Sequence, residues 1–181
     1  FESQMKTNPQ KVKEWFEKAT AVKRMSDSLY NYAEQLKLAI VREADGDDAD
    51  INNIERKDDL EAANQVMLAP TTGQGAKLKK AIDSFRQRIL TMVTDPEQRR
   101  IIENNLTTTI SGKSNQLNKN WQEYHFESMP AIAAVTLLTK IQNDVRYVEG
   151  EVLHVLSKNV DLGDLRVNQI RALVIPTSKN I

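Results

Sequence analysis

No cysteine occurs among the 181 residues, which excludes disulfides, thiolate nucleophiles and cysteine-based zinc sites. Cytoplasm and periplasm stay equally open as compartments. Net charge is missing too. With 25 lysines and arginines against 25 aspartates and glutamates, no overall field steers the protein toward nucleic acid or an anionic bilayer. Nor is any basic tract interleaved with aromatics, which disfavours nucleic-acid binding further. Long apolar runs are absent as well: the longest, Ala131 to Leu138 with Thr136 inside it, falls far short of the ~20 residues that a membrane-spanning helix needs. There is no signal peptide, and the chain opens at Phe1 rather than at a methionine. The sequence therefore reads as a soluble segment separated from any anchor or targeting signal. Its length still allows a core that removes roughly 70% of the unfolded surface from water, so the fold needs no staples.

Residues that carry chemistry are sparse. The only histidines are His125, in a polar stretch expected to be loop, and His154, on a helix; they lie at no ligand spacing and read as satisfied or exposed side chains. No serine, threonine or lysine sits in a nucleophile elbow or an SxxK arrangement. Thr72-Gly73-Gln74-Gly75-Ala76-Lys77 lacks the spacing of a phosphate loop and follows no strand, so it reads as a linker between helices. Asp48, Asp50, Asn52, Asn53 and Asp59 occupy positions one, three, five, six and twelve of a calcium-loop template, but Asn replaces its turn glycine and Asp its bidentate glutamate. Glu55 stands where that template buries an apolar residue. A solvated, helix-capping acidic loop is the better reading. The sequence thus assigns no catalytic, cofactor-binding or metal-ligating residue, no cofactor and no enzymatic activity.

Helical periodicity is what the chain has in quantity. Asn8 before Pro9 reads as a cap followed by a first-turn proline. Val12, Trp15, Ala19, Val22, Ser26, Leu29, Ala33, Leu36 and Ile40 then recur at spacings of three and four. A helix from Pro9 to about Arg42 would run ~50 Å at 1.5 Å per residue. A second rod of similar length, residues 128–159, is predicted to be capped by Ser128 with Pro130 in its first turn. Ala134, Leu138, Ile141, Val145, Val148, Val152 and Val155 draw a narrow seam along it, and such a seam needs a helical partner. Shorter helices are expected over about Asn52 to Leu68, Ala76 to Val93, Asp95-Pro96 through Leu106, and Ser114 to Tyr124. Trp121, Tyr124 and Phe126 are expected to pack across the bundle end. Phe16, Met25, Tyr30, Tyr32, Leu38 and Val41 make the first helix apolar over more than one face, which predicts contact with another chain. Ile170 to Ile175, β-branched and stopped by Pro176, reads as a strand. The predicted fold is all-α: an elongated up-and-down helical bundle built on two long antiparallel helices, spanning residues 1–169, with a short β segment at the C-terminus.

Met129-Pro130, Ala133-Ala134-Val135, Lys140-Ile141-Gln142-Asn143-Asp144-Val145 and Glu149-Gly150-Glu151, in that order, resemble the periplasmic part of the GldM/PorM proteins, core components of the gliding-motility and type IX secretion machinery. The resemblance is clearest over residues 126–159, looser at the first helix and at Val174-Ile175-Pro176, and includes no catalytic signature. It implies an inner-membrane anchor formed by one N-terminal helix outside this chain, periplasmic residence and a homodimer. It also implies an inner-membrane GldL/PorL-like motor partner, an outer-membrane-associated GldK/GldN (PorK/PorN)-like ring, and a mechanical task driven by the proton-motive force. Because β-rich domains follow the helical one in that family, residues 170–181 would be the linker and first strand of a truncated second domain. The competing reading is a periplasmic helical-bundle sensor module. It expects a small-molecule pocket with convergent polar groups between helices, and the strand-like exit at Ile170 to Pro176 speaks against it.

Overall fold

The computed structural model describes residues 2–160, with side chains from residue 9. Its elements are α1 (Glu2–Asp45), a π-helical turn (Asn64–Leu68), α2 (Gln74–Leu90), α3 (Pro96–Asn105), α4 (Trp121–Phe126) and α5 (Ala131–Lys158). No strand occurs among the described residues, and the fold is all-α. The segment Ile170 to Pro176, expected as a strand, and the whole of 170–181 lie outside them.

Two long helices form the axis. Their contacts run in opposite senses, since Ser26 meets Glu149 while Lys37 meets Gln142, so the pair is antiparallel as predicted. At 44 and 28 residues the rods are ~66 and ~42 Å long at 1.5 Å per residue, rather than nearly matched. The difference arises at the N-terminus: α1 begins at Glu2 and carries Pro9 inside it, where Pro9 was expected to open it. Proline's fixed φ suits a helix, and its cost is confined to one missing N–H and local crowding. The other end stops on chemistry. Gly46 takes the left-handed conformation, φ 94, and its N–H donates to the Arg42 carbonyl at 2.8 Å, closing the last turn.

The seam of α1 is buried as the spacing predicts, from Trp15 through Ala19, Val22, Ser26, Leu29, Ala33 and Leu36 to Ile40, with Val12 only half-buried. On α5 the seam holds with two local exceptions. Ala134, Leu138, Val145, Val148 and Val152 are buried, but Gln142 and Leu156 take the inward places expected for Ile141 and Val155, which are half-buried. Gln142 faces inward where it meets Lys37, Glu34 and the Tyr30 carbonyl. The apolar breadth of α1 is partly accounted for within the chain. Val41 is fully buried, and Met25 and Tyr32 pack against the core, whereas Phe16 stays 44% exposed.

The short elements gather on one part of this pair. α2 buries Leu78, Ile82, Phe85 and Ile89, the face expected of it. Its C-terminal carbonyls are held by Arg99, whose Nη1 donates to the Leu90 and Val93 oxygens at 2.6 and 2.8 Å. α3 opens where Asp95-Pro96 predicts, with Asp95 accepting from the Gln98 N–H at 3.0 Å and Pro96 in the first turn. Two expected helices are corrected. Asn52 to Leu68 is mostly turns, and only Asn64–Leu68 forms a regular π-helical turn. Its carboxylates bind nearby backbone instead of letting it coil: Asp50 accepts from Asn52, Asp59 from Glu61 and Ala62, and Asp45 from Glu55 and Arg56. The Ser114 to Tyr124 helix lies later, at Trp121–Phe126. Asn115 closes a loop on both the N–H and the carbonyl of Lys119, and Asn120 supplies the cap, accepting from Glu123 at 2.9 Å.

Ser128 does not cap α5. It has φ 51, and its N–H donates to Asn64 Oδ1 at 2.9 Å. The free amides of Ala131 and Ile132 instead donate to the carbonyls of Asp59 and Lys57 at 2.9 and 3.1 Å. The acidic loop is therefore the cap of the long helix, made from distant backbone rather than a neighbouring hydroxyl.

Candidate functional site

The polar side chains that the fold brings together lie between α1 and α5. Lys37 and Gln142 are buried, at 8% and 2% exposure. Lys37 Nζ donates to Gln142 Oε1 at 3.0 Å and lies 3.1 Å from Glu34 Oε2. Gln142 Nε2 donates in turn to Glu34 Oε2 at 2.8 Å and to the Tyr30 carbonyl at 3.1 Å. One and two turns further along α5 come Arg146 and Glu149. Arg146 Nη1 reaches Asp27 Oδ1 at 2.7 Å, Glu149 Oε2 at 2.9 Å and Ser26 Oγ at 3.0 Å, while Ser26 Oγ donates to Glu149 at 2.6 Å. The Arg146 guanidinium also lies over the Tyr30 ring, 4.4 Å from its centroid, close enough for a cation–π attraction.

These groups form a clasp that fixes one register of the two rods. The hydrogen bond donated by Gln142 holds the Glu34 carboxyl below the ordinary carboxylate range, against the upward pull of its burial and with help from Lys37. Burial opposes the charge on Arg146, but its bonds to Asp27 and Glu149 outweigh this and raise its pKa. A slip by one helical turn would leave Lys37 paired with Glu34 of its own helix but take the Gln142 oxygen from it and part Arg146 from Ser26 and Asp27, and buried polar groups that lose their partners are costly. Such a network adds little net stability over an apolar seam, yet it discriminates between registers. Sequence reasoning recognised Ser26 in the α1 seam but missed the rest. The signal was Gln142 itself, four residues after Leu138 and three before Val145, an inward spacing for a polar side chain.

The residues weighed for chemistry do not converge. His154 is exposed on α5. His125 lies on α4 rather than in a loop, edge-on between Trp121 and Tyr124, with centroids 5.1 and 5.0 Å away. Trp121 also meets Phe126 at 5.9 Å, so of the three aromatics expected to cluster these two touch directly and Tyr124 joins them through His125. Burial, then the charge of Lys140, lowers the His125 pKa. Asp48 is exposed and the Asp50 and Asp59 oxygens accept loop N–H groups. No cluster of three or more His, Asp or Glu able to hold a metal is found among the described residues. In the Thr72 to Lys77 stretch, Gly73 has φ 50 and a Cβ on Gly75 would lie 2.6 Å from Gln122 Cβ, so the glycines serve a turn and a close approach of α2 to α4. Beside the clasp, α1 and α2 leave an open groove of about 590 Å³ with an apolar floor.

Two long antiparallel rods with short helices packed against them define a helical domain. Residues 1–159 match the GldM N-terminal domain, and the chain belongs to that family. This makes it a component of gliding motility and type IX secretion, in a family of structural motility components that are membrane-anchored and periplasmic. Among curated proteins none matches the chain. No helix of the described residues is long and apolar enough to cross a membrane. The stretches that carry the resemblance include Gln142 and Glu149, both in the clasp.

Proposed function

We propose that the clasped α1–α5 pair is a stiff strut of a periplasmic, inner-membrane-anchored protein that passes work from a proton-motive-force-powered motor to type IX secretion and gliding. The observation that carries this reading is the clasp within a GldM-family domain. A load along one rod reaches the other through fixed polar contacts and a close-packed seam, where loops would absorb it. On this reading the working unit is a homodimer. It takes its drive from a GldL/PorL-like partner in the inner membrane and delivers it to a GldK/GldN (PorK/PorN)-like ring at the outer membrane. The anchor is an N-terminal helix outside this chain. The sensor reading gains no specific support from the α1–α2 groove, which is open and has an apolar floor where a small-ligand site would be enclosed. The test is Arg146→Leu in cells, with protein level and melting temperature measured alongside. Secretion and gliding should fall together while the domain stays folded; full secretion from a stable Arg146→Leu protein would refute the strut.

A further inference from the structure

The α1–α2 groove lies on a face of α1 next to the clasp. Leu29 and Phe85 form its buried floor, with Met25, Tyr32 and Ala81 half-buried around them. Arg24 and Arg88 stand at the rim, both exposed, and neither is in an ion pair among the described residues. The nearby carboxylates are turned elsewhere. On α1 between Lys18 and Val41 they are Asp27, held by Arg146, and Glu34, held by Gln142 and Lys37. The carboxylate of α2, Asp83, is engaged by Lys79, Arg86 and Thr108. In a chain of no net charge the fold has thus segregated a cationic rim around an apolar floor. Ser28 and Ser84, small and exposed, leave room between the arginines.

We infer that this groove docks an acidic amphipathic helix from a partner protein. Charge complementarity selects that occupant: apolar side chains one turn apart would enter over Met25, Leu29, Tyr32 and Phe85, while glutamates or aspartates on the helix flanks pair with Arg24 and Arg88. The groove between two packed helices suits the ridge of a third, and the flexible thioether of Met25 adapts to the side chain that arrives. The inference does not depend on the strut.

The test uses the full chain and a fluorescent helical peptide of about five turns, with leucines along one edge and glutamates on both flanks, read by anisotropy. Saturable binding is expected, weakened about tenfold or more by Arg24→Glu with Arg88→Glu and lost in Ser84→Trp, whose exposed indole fills the groove without entering the core. The same peptide with lysines for glutamates should prefer the charge-reversed protein. Absence of saturable binding, or binding indifferent to Ser84→Trp or to charge reversal, overturns the proposal. So does self-association of the chain, or binding to phosphatidylglycerol vesicles, that Ser84→Trp abolishes and the peptide does not displace; those outcomes assign the groove to a second copy or to a lipid surface.

Discussion

Lysine is rarely buried unless paired, and Lys37 at 8% exposure is buried because Gln142 and Glu34 both accept from it. Gln142→Ala removes one partner and should lower stability by about 1–3 kcal/mol in denaturant melts. Lys37→Met combined with Gln142→Leu removes both polar groups, and the apolar pair should match or exceed the parent in stability while losing the register preference. A double variant as unstable as the single one would show that the clasp is itself a main source of stability. A second residue-scale prediction concerns pH. His125 has a depressed pKa because burial, then Lys140, disfavours its charged form, so the fold prefers the neutral ring. That contribution is complete above the ordinary imidazole value of about 6.5 and is lost as pH falls through the lower folded value. The melting temperature should therefore drop as the pH falls below about 6.5, and less steeply in His125→Phe; equal slopes would remove His125 from the account. Glu34 has a depressed pKa, chiefly from the Gln142 bond. In Asp83 burial raises the pKa but is outweighed by bonds from Lys79, Thr108 and Arg86. Both carboxylates contribute stability above their ordinary range and lose it only in more acid solution. At this scale little of the site was legible, because no linear pattern pairs Lys37 with Gln142 across 105 positions.

Elements were far more legible. The seams of α1 and α5, the face of α2 and the start of α3 followed from spacing and from Asp95-Pro96, since a helix that must bury one stripe advertises it locally. Failures fell where side chains compete for backbone groups. Asp50 and Asp59 turned the expected Asn52 to Leu68 helix largely into turns, and the carbonyls of Lys57 and Asp59 replaced Ser128 as the cap of α5. The first is a local contest between side chain and helix that apolar spacing does not report; the second is a long-range substitution that a local rule has no way to register. The seams give the element-scale prediction. Leu138 and Val145 have no exposed surface, so Leu138→Asp or Val145→Asp buries an unpaired carboxylate at a cost of several kcal/mol and should unfold the domain. Ile141→Asp, half-buried beside the seam, should be markedly milder. A Val145→Asp protein with the parental melting temperature would contradict the packing of α5 on α1.

Across the described residues the two rods, the loop that caps one of them and the cluster of short helices form one connected core, and the proposed strut requires that α1 and α5 move as one body. The absence of cysteine, first an exclusion, becomes a tool, because a pair of thiols introduced here is unique within this chain. Ser26 and Glu149 touch across the rods at 2.6 Å, so Ser26→Cys with Glu149→Cys places two thiols within reach of a short dithiol-reactive crosslinker. The decisive measurement is secretion and gliding in cells carrying this pair, before and after crosslinking. A rigid strut predicts that the open pair, with its clasp weakened, works poorly and that crosslinking restores secretion and gliding together. If crosslinking instead blocks a working protein, α1 and α5 must slide past one another in use, and the account of a register-fixed strut is wrong.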